Sequence, residues 1–217
     1  MSAASPPSGG PLRYVALGDS YTIGTSVDPA ERWPDQLVTA LAGPPPALQL
    51  VGNLGVNGYT SRDLIRDELP AFAALEPGFA TVLIGVNDVV QGMPEGTYAT
   101  NVGQILDAVL ARLPAHRLVT VAIPDYTVTP EGATYGDPNR QHEGIVANNA
   151  VMARLSAERG VAFVDTFDIS LRAARDRSLV AGDGLHPSGG QYTAWVERIL
   201  PVVARLLGRG GVSAGRA

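Results

Sequence analysis

The chain contains no cysteine, and its 217 residues include no lysine either: all 16 basic residues are arginine. The first absence excludes disulfides, thiolate metal sites and a cysteine nucleophile. The arginines are scattered rather than clustered, and a net charge of -5 adds to the case against a nucleic-acid-binding face. Long apolar runs are missing too. None approaches the roughly 20 residues needed to span a bilayer, so no membrane span is expected. The opening stretch MSAASPPSGGPLR lacks the charged start and apolar run of a secretory leader. It predicts a cytoplasmic protein, or a secreted one if a leader has been removed upstream.

What is present is enough apolar material, 45% of the residues, for one sizeable core. The expected domain runs over 12–207, with Gly/Ser/Pro-rich tails at 1–11 and 208–217. Four short runs are apolar on both alternating faces: YVAL (14–17), ATVLI (80–84), LVTVAI (118–123) and VAFV (161–164). LQLV (48–51) is a weaker fifth. Strands that are apolar throughout belong to parallel sheets covered on both sides. Between them lie helical stripes. One is Val102, Ile105, Leu106, Val109, Leu110 and Leu113; another is Tyr192, Trp195, Val196, Ile199, Leu200, Val203, Leu206 and Leu207. Ser188, with Gln191 three residues on, matches a capping box that starts the last helix. Strand and helix alternate about five times, with no internal repeat and no second domain. The fold class predicted is α/β: a three-layer α/β/α sandwich around a central, mostly parallel five-stranded sheet.

In such a sheet ligands bind beyond the carboxyl ends of the strands. The residues that follow each strand therefore carry the functional reading. GDSYTIG, with Ser20, follows the first strand; NLGVNGYT, with Gly58, the second; GVND, with Asn87 and Asp88, the third. DGLHPSGG, with Asp183 and His186, lies between the fifth strand and the final helix. Acyl transfer needs such a set. A serine hydroxyl is a weak nucleophile until a base takes its proton. An imidazole titrates near 6.5, which makes His186 the best base available. Asp183 can fix its tautomer and stabilise its charged form. The tetrahedral oxyanion needs preorganised donors, and the candidates are the backbone amides of Ser20 and Gly58 and the side-chain amide of Asn87. Glycine at 58 is expected to allow close backbone approach, with Gly18 and Gly24 easing the turn around Ser20.

The four blocks together resemble the SGNH (GDSL) hydrolase family, whose blocks carry a serine, a glycine, an asparagine and a histidine. GDSYTIG is similar to the first block, NGYT to the second, GVND to the third and DGLH to the last. They run in family order from residue 18 to 186. Singly each is a weak match; together, each beside the right element, they make a strong one. The resemblance implies an SGNH-hydrolase-like, flavodoxin-like sheet, with Ser20 as nucleophile, His186 as base and Asp183 as its orienting acid. It also implies an oxyanion hole of Ser20, Gly58 and Asn87 and a small-molecule ester substrate; with no room in the chain for a large lid domain, small or short-chain acyl esters are expected over long-chain lipids. No cofactor and no metal are expected, because Asp183 and His186 alone are too few ligands. An acyltransferase or a carbohydrate O-deacetylase uses the same groups, and a non-catalytic carbohydrate-binding descendant is the rival of another class.

Other residues have quieter readings. Asp19 and Asp88 adjoin the candidates and are read as loop-holding hydrogen-bond groups. Asn53 and Asn57 are assigned to the turn before the second helix, and His116 to the solvated end of a helix. The stretch from Pro124 to His142 is the longest without clear regularity, and such loops shape specificity. Within it Tyr126, Tyr135 and His142 are candidates for a substrate pocket, the tyrosines equally for loop anchors. GVSAG (211–215) formally matches the nucleophile elbow of α/β-hydrolases, but no strand or helix flanks Ser213. Oligomeric state has no signature.

Overall fold

A computed structural model describes residues 10–43 and 46–208. The tails expected at 1–11 and 208–217 fall almost wholly outside the described residues, as does the GVSAG stretch. In chain order the elements are β1 (Leu12–Gly18), α1 (Ser20–Ile23), α2 (Trp33–Ala40), β2 (Leu48–Asn53) and α3 (Ser61–Asp63), which runs through a π-helical turn (Leu64–Glu68) into α4 (Leu69–Ala74). There follow β3 (Phe79–Leu83), α5 (Val86–Val90), α6 (Glu95–Leu110), β4 (Leu118–Val121), α7 (Pro138–Glu158), β5 (Ala162–Val164), α8 (Phe167–Leu171) and α9 (Gly189–Leu206).

The five strands form one sheet in the order β2-β1-β3-β4-β5, and every pairing is parallel. Period-two alternation divides the core. Tyr14 and Ala16 of β1, Phe79 and Leu83 of β3, and Val119 and Val121 of β4 face one layer, packed against Trp33 and Leu37 of α2 and Trp195, Ile199 and Val203 of α9. Val15, Leu17, Ala80, Val82 and Leu118 face the other, packed against Val102, Ile105, Leu106 and Val109 of α6 and Met152 and Leu155 of α7. Both stripes predicted from helical periodicity therefore point inward. Two hydroxyls on the sheet find buried partners: Thr81 with the Tyr14 phenol at 2.8 Å and Thr120 with Ser156 at 2.8 Å. β2 is an edge strand, which explains its weak apolar pattern: after Leu48 no residue of it is fully buried.

Two local expectations change. Ser188 does cap α9 by accepting from the Gln191 amide, but the Gln191 side chain turns away from the capping box. Its amide donates to the Leu179 carbonyl at 2.8 Å, which also accepts the Ser188 N–H. The stretch expected to be irregular up to His142 ends earlier. Asp137 accepts from the Arg140 amide and Pro138 supplies the first helical residue, so α7 begins there and His142 is helical.

Candidate active site

The first strand ends in Gly18, where no other residue fits: a Cβ there would lie 2.1 Å from the Leu83 carbonyl oxygen. That contact brings the turn after β1 against the end of β3. Asp19 then caps α1, its carboxylate accepting from the Tyr21 amide at 3.0 Å. Ser20 follows as the first residue of that helix, on the carboxyl side of the sheet.

The next contributors come from the neighbouring strand ends. After β2, Gly58 has φ +81°, and a Cβ there would meet open space. The glycine is needed for its backbone conformation rather than for close approach, which corrects the reason inferred from sequence. After β3, Asn87 sits in the first turn of α5 and donates one amide hydrogen to the Tyr59 carbonyl at 2.9 Å. Its second amide hydrogen is left for another acceptor. Asp88 beside it is buried and accepts from the Ser61 amide and hydroxyl at 2.9 and 2.5 Å, tying α5 to α3. Burial raises the Asp88 carboxyl above its ordinary range despite those bonds.

Between α8 and α9, His186 Nδ1 lies 2.6 Å from Asp183 Oδ2. Asp183 Oδ1 accepts the backbone amides of Leu185 and His186 at 2.9 and 3.0 Å, and Oδ2 also accepts the Ser26 hydroxyl at 2.6 Å. Partial burial works to raise this carboxyl, yet the hydroxyl, the imidazole and the two amides prevail and hold it well below the usual carboxylate range. The Tyr21 ring lies against the imidazole, centroids 5.3 Å apart.

Ser20, Gly58, Asn87 and His186 line one cavity of about 280 Å³, together with Tyr21, Asn57, Val86, Val90, Tyr126, Tyr135 and Leu185. Tyr126 donates to Gln141 at 2.7 Å and packs edge-on to Tyr135 at 5.7 Å, so these tyrosines are both lining and anchors. His142 is not among the lining residues. Its Nδ1 lies 2.5 Å from the buried Asp125, and its ring packs on Phe167 of α8. The helix that begins at Pro138 carries it away from the rim on which the two tyrosines sit. His116 is exposed in a short turn before β4. Among the described residues no cluster of three potential ligands could hold a metal ion.

Sequence reasoning overlooked Asn57 and Tyr21 as cavity walls, although both adjoin motif residues. It also overlooked Glu68. This buried side chain accepts the Gly18 amide at 2.9 Å, and its other oxygen, like one oxygen of Asp19, has no partner among the described residues. Burial, with the neighbouring carboxyl of Asp19 adding to it, pushes Glu68 up to about 9; burial pushes Asp19 up to about 8. Glu68 reaches Gly18 from 50 residues away through the π-helical turn, and no local pattern announces that.

Fold and cavity together define the class: a three-layer α/β/α protein with a cavity at the carboxyl edge of a parallel sheet. The chain belongs to the GDSL-like lipase/acylhydrolase family, whose model matches residues 16–194. Among solved structures, the chain is similar to TesA at 20% identity with a TM-score of 0.70, covering 90% of this chain and 99% of that one. It is similar to Axe2, an acetyl xylan esterase from Geobacillus stearothermophilus, at 19% identity with a TM-score of 0.68, covering 94% and 97%. The psychrotrophic esterase EstA from Pseudoalteromonas sp. matches at 18% identity with a TM-score of 0.68, covering 91% and 99%. No curated protein sequence matches. At these identities the likeness concerns the fold. No helix among the described residues is long and apolar enough to cross a membrane.

Proposed function

We propose that the protein hydrolyses carboxylic esters through an acyl-enzyme on Ser20. One observation carries the reading: a single cavity is lined by a serine, an imidazole held at 2.6 Å by a carboxylate, and the glycine and asparagine of two other strand ends. Ser20 Oγ attacks the acyl carbon while His186 Nε2 takes its proton. Asp183, bonded to Nδ1, holds the ring with Nε2 facing the cavity and offsets the imidazolium charge. The oxyanion accepts hydrogen bonds from the backbone amides of Ser20 and Gly58 and from the free amide hydrogen of Asn87. Collapse breaks the ester C–O bond, and the leaving alcohol takes the proton from His186. Water, deprotonated by the same nitrogen, then attacks the acyl carbon; the acid leaves and Ser20 regains its proton.

The cavity volume of about 280 Å³ suits small or short-chain acyl groups. A second reading, an O-deacetylase of carbohydrates, is favoured by Tyr135. Its ring lines the cavity while 42% exposed, a flat apolar platform beside the reacting centre. That reading also agrees with the acetyl xylan esterase among the similar structures.

A fluorophosphonate probe tests the nucleophile and a substrate panel the class. Wild type is expected to label covalently and Ser20→Ala to stay unlabelled. Acetyl and butyryl esters should turn over faster than palmitoyl esters, and release of acetate from acetylated sugars decides between the two readings. Equal labelling of Ser20→Ala overturns the assignment.

A further inference from the structure

The short segment from Gly24 to Ser26 touches three of the four loops that build the cavity. The amides of Gly24 and Thr25 both donate to the Ser20 carbonyl, at 3.0 and 3.1 Å. The Thr25 hydroxyl donates to the side-chain carbonyl of Asn57, the residue before Gly58. The Ser26 hydroxyl donates to Asp183 Oδ2 at 2.6 Å, across 157 positions of chain. This is the same oxygen that faces His186 Nδ1.

Ser26 makes that contact from an unfavourable backbone. Its φ is +66°, one of two non-glycine residues with positive φ among those described. Left-handed backbone is uncommon for a residue with a Cβ, and glycine would relax it. The residue is also exposed, so no core packing explains its place. The hydrogen bond to a carboxylate is the one side-chain interaction it makes among the described residues.

We propose that Ser26 is a positioning residue for the ester hydrolysis proposed above: its hydroxyl helps fix the Asp183 carboxylate in the orientation that holds His186 at the cavity it shares with Ser20. The proposal rests on that assignment. A carboxylate with one oxygen shared between two donors cannot swing about its Cβ–Cγ bond without losing one of them. Removing the hydroxyl leaves Oδ2 to the imidazole alone and loosens the carboxylate, which then keeps only that bond and the two backbone amides on Oδ1.

Two substitutions separate positioning from folding. Ser26→Gly removes the hydroxyl but relaxes the backbone; Ser26→Thr keeps the hydroxyl and worsens the strain, because a β-branched side chain tolerates positive φ poorly. For Ser26→Gly we expect a thermal midpoint equal to or above wild type. Its kcat should fall roughly tenfold, a change of about 1.4 kcal/mol, with KM nearly unchanged. Ser26→Thr should show the reverse pattern: a lower midpoint with kcat/KM retained. Fluorophosphonate labelling, run on each protein, keeps two failures apart. A wild-type chain that does not label overturns the hydrolase assignment and this proposal with it. A wild-type chain that labels, beside a Ser26→Gly variant with unchanged kcat, overturns the positioning role alone.

Discussion

Two histidine–aspartate pairs occupy the carboxyl side of this sheet, built alike and placed differently. In the first, His186 is 12% exposed and Asp183 30%; in the second, His142 is 44% exposed and Asp125 is fully buried. Both join Nδ1 to a carboxylate oxygen at hydrogen-bond length, 2.6 and 2.5 Å. Both carboxylates also accept local backbone amides, Leu185 and His186 in one case and Thr127 in the other. The difference is what lies beyond the ring. His186 lines a cavity shared with Ser20, Gly58 and Asn87, whereas His142 lies against Phe167 and solvent. The two pairs thus differ in what shares an open space with the ring, and on the hydrolase reading proposed above only the first can serve as a base.

The largest effects should come from breaking the first pair's surroundings. Ser20→Ala or His186→Ala is expected to cost on the order of a millionfold in kcat, while His142→Ala changes it by less than about twofold. Ester turnover by the purified variants measures both, and a comparable loss at His142 would dissolve the contrast. The acids should differ next. Asp183→Asn presents the wrong hydrogen-bonding face to Nδ1 and should lower kcat about 10⁴-fold. Asp125→Asn should leave kcat near wild type but destabilise the fold by about 1–3 kcal/mol, because it disturbs a buried acceptor of the Thr127 amide and hydroxyl. Denaturant unfolding and kinetics on the same samples read the two outcomes. Smaller again is Asn87→Ala, expected to lower kcat by about 10²–10³ with KM little changed.

The mildest effect concerns pH, and it sets Asp183 against the buried acids beneath Ser20. Asp19 and Glu68 are raised from 3.8 and 4.5 to about 8 and about 9 when folded. Between those values the folded chain keeps protons that the unfolded chain has released. Stability should therefore be fullest below about pH 4 for these two groups and fall as pH rises toward 9. Asp183 has the opposite sign: its folded value lies below the unfolded one, so its contribution is present above the unfolded value and lost as pH falls through the acid range. Glu68→Gln imitates the protonated acid and can still accept the Gly18 amide. Its thermal midpoint should decline less between pH 5 and 9 than that of wild type; an identical slope would remove Glu68 as a source of the dependence.

The elements differ in how far they could be read in advance. β1, β3 and β4 were plain because both of their faces are buried, and α6 and α9 because a single face is. β2 was faint because an edge strand has less to bury. Ser20, Gly58, Asn87, Asp183 and His186 stand out as candidates in the sequence because each directly follows, or lies within a short loop of, a regular element. Tyr126 and Tyr135 were named without their roles being separable, and they serve as both wall and anchor. His142 reads as a loop residue from sequence, whereas the cap at Asp137 with Pro138 starts a helix that carries it. Ser26 and Glu68 carried no signal: their partners are 157 and 50 residues away.

The sequence by itself determined the layers, the strand ends and the order in which four short polar blocks meet the sheet edge, because burial periodicity and turn chemistry are local properties. Which histidine shares a cavity with Ser20, which hydroxyl meets the Asp183 carboxylate and which carboxyl accepts the Gly18 amide were decided only by the tertiary structure. Those contacts depend on angles and distances between elements far apart in the chain, and a few ångströms of displacement separate a base from a surface imidazole.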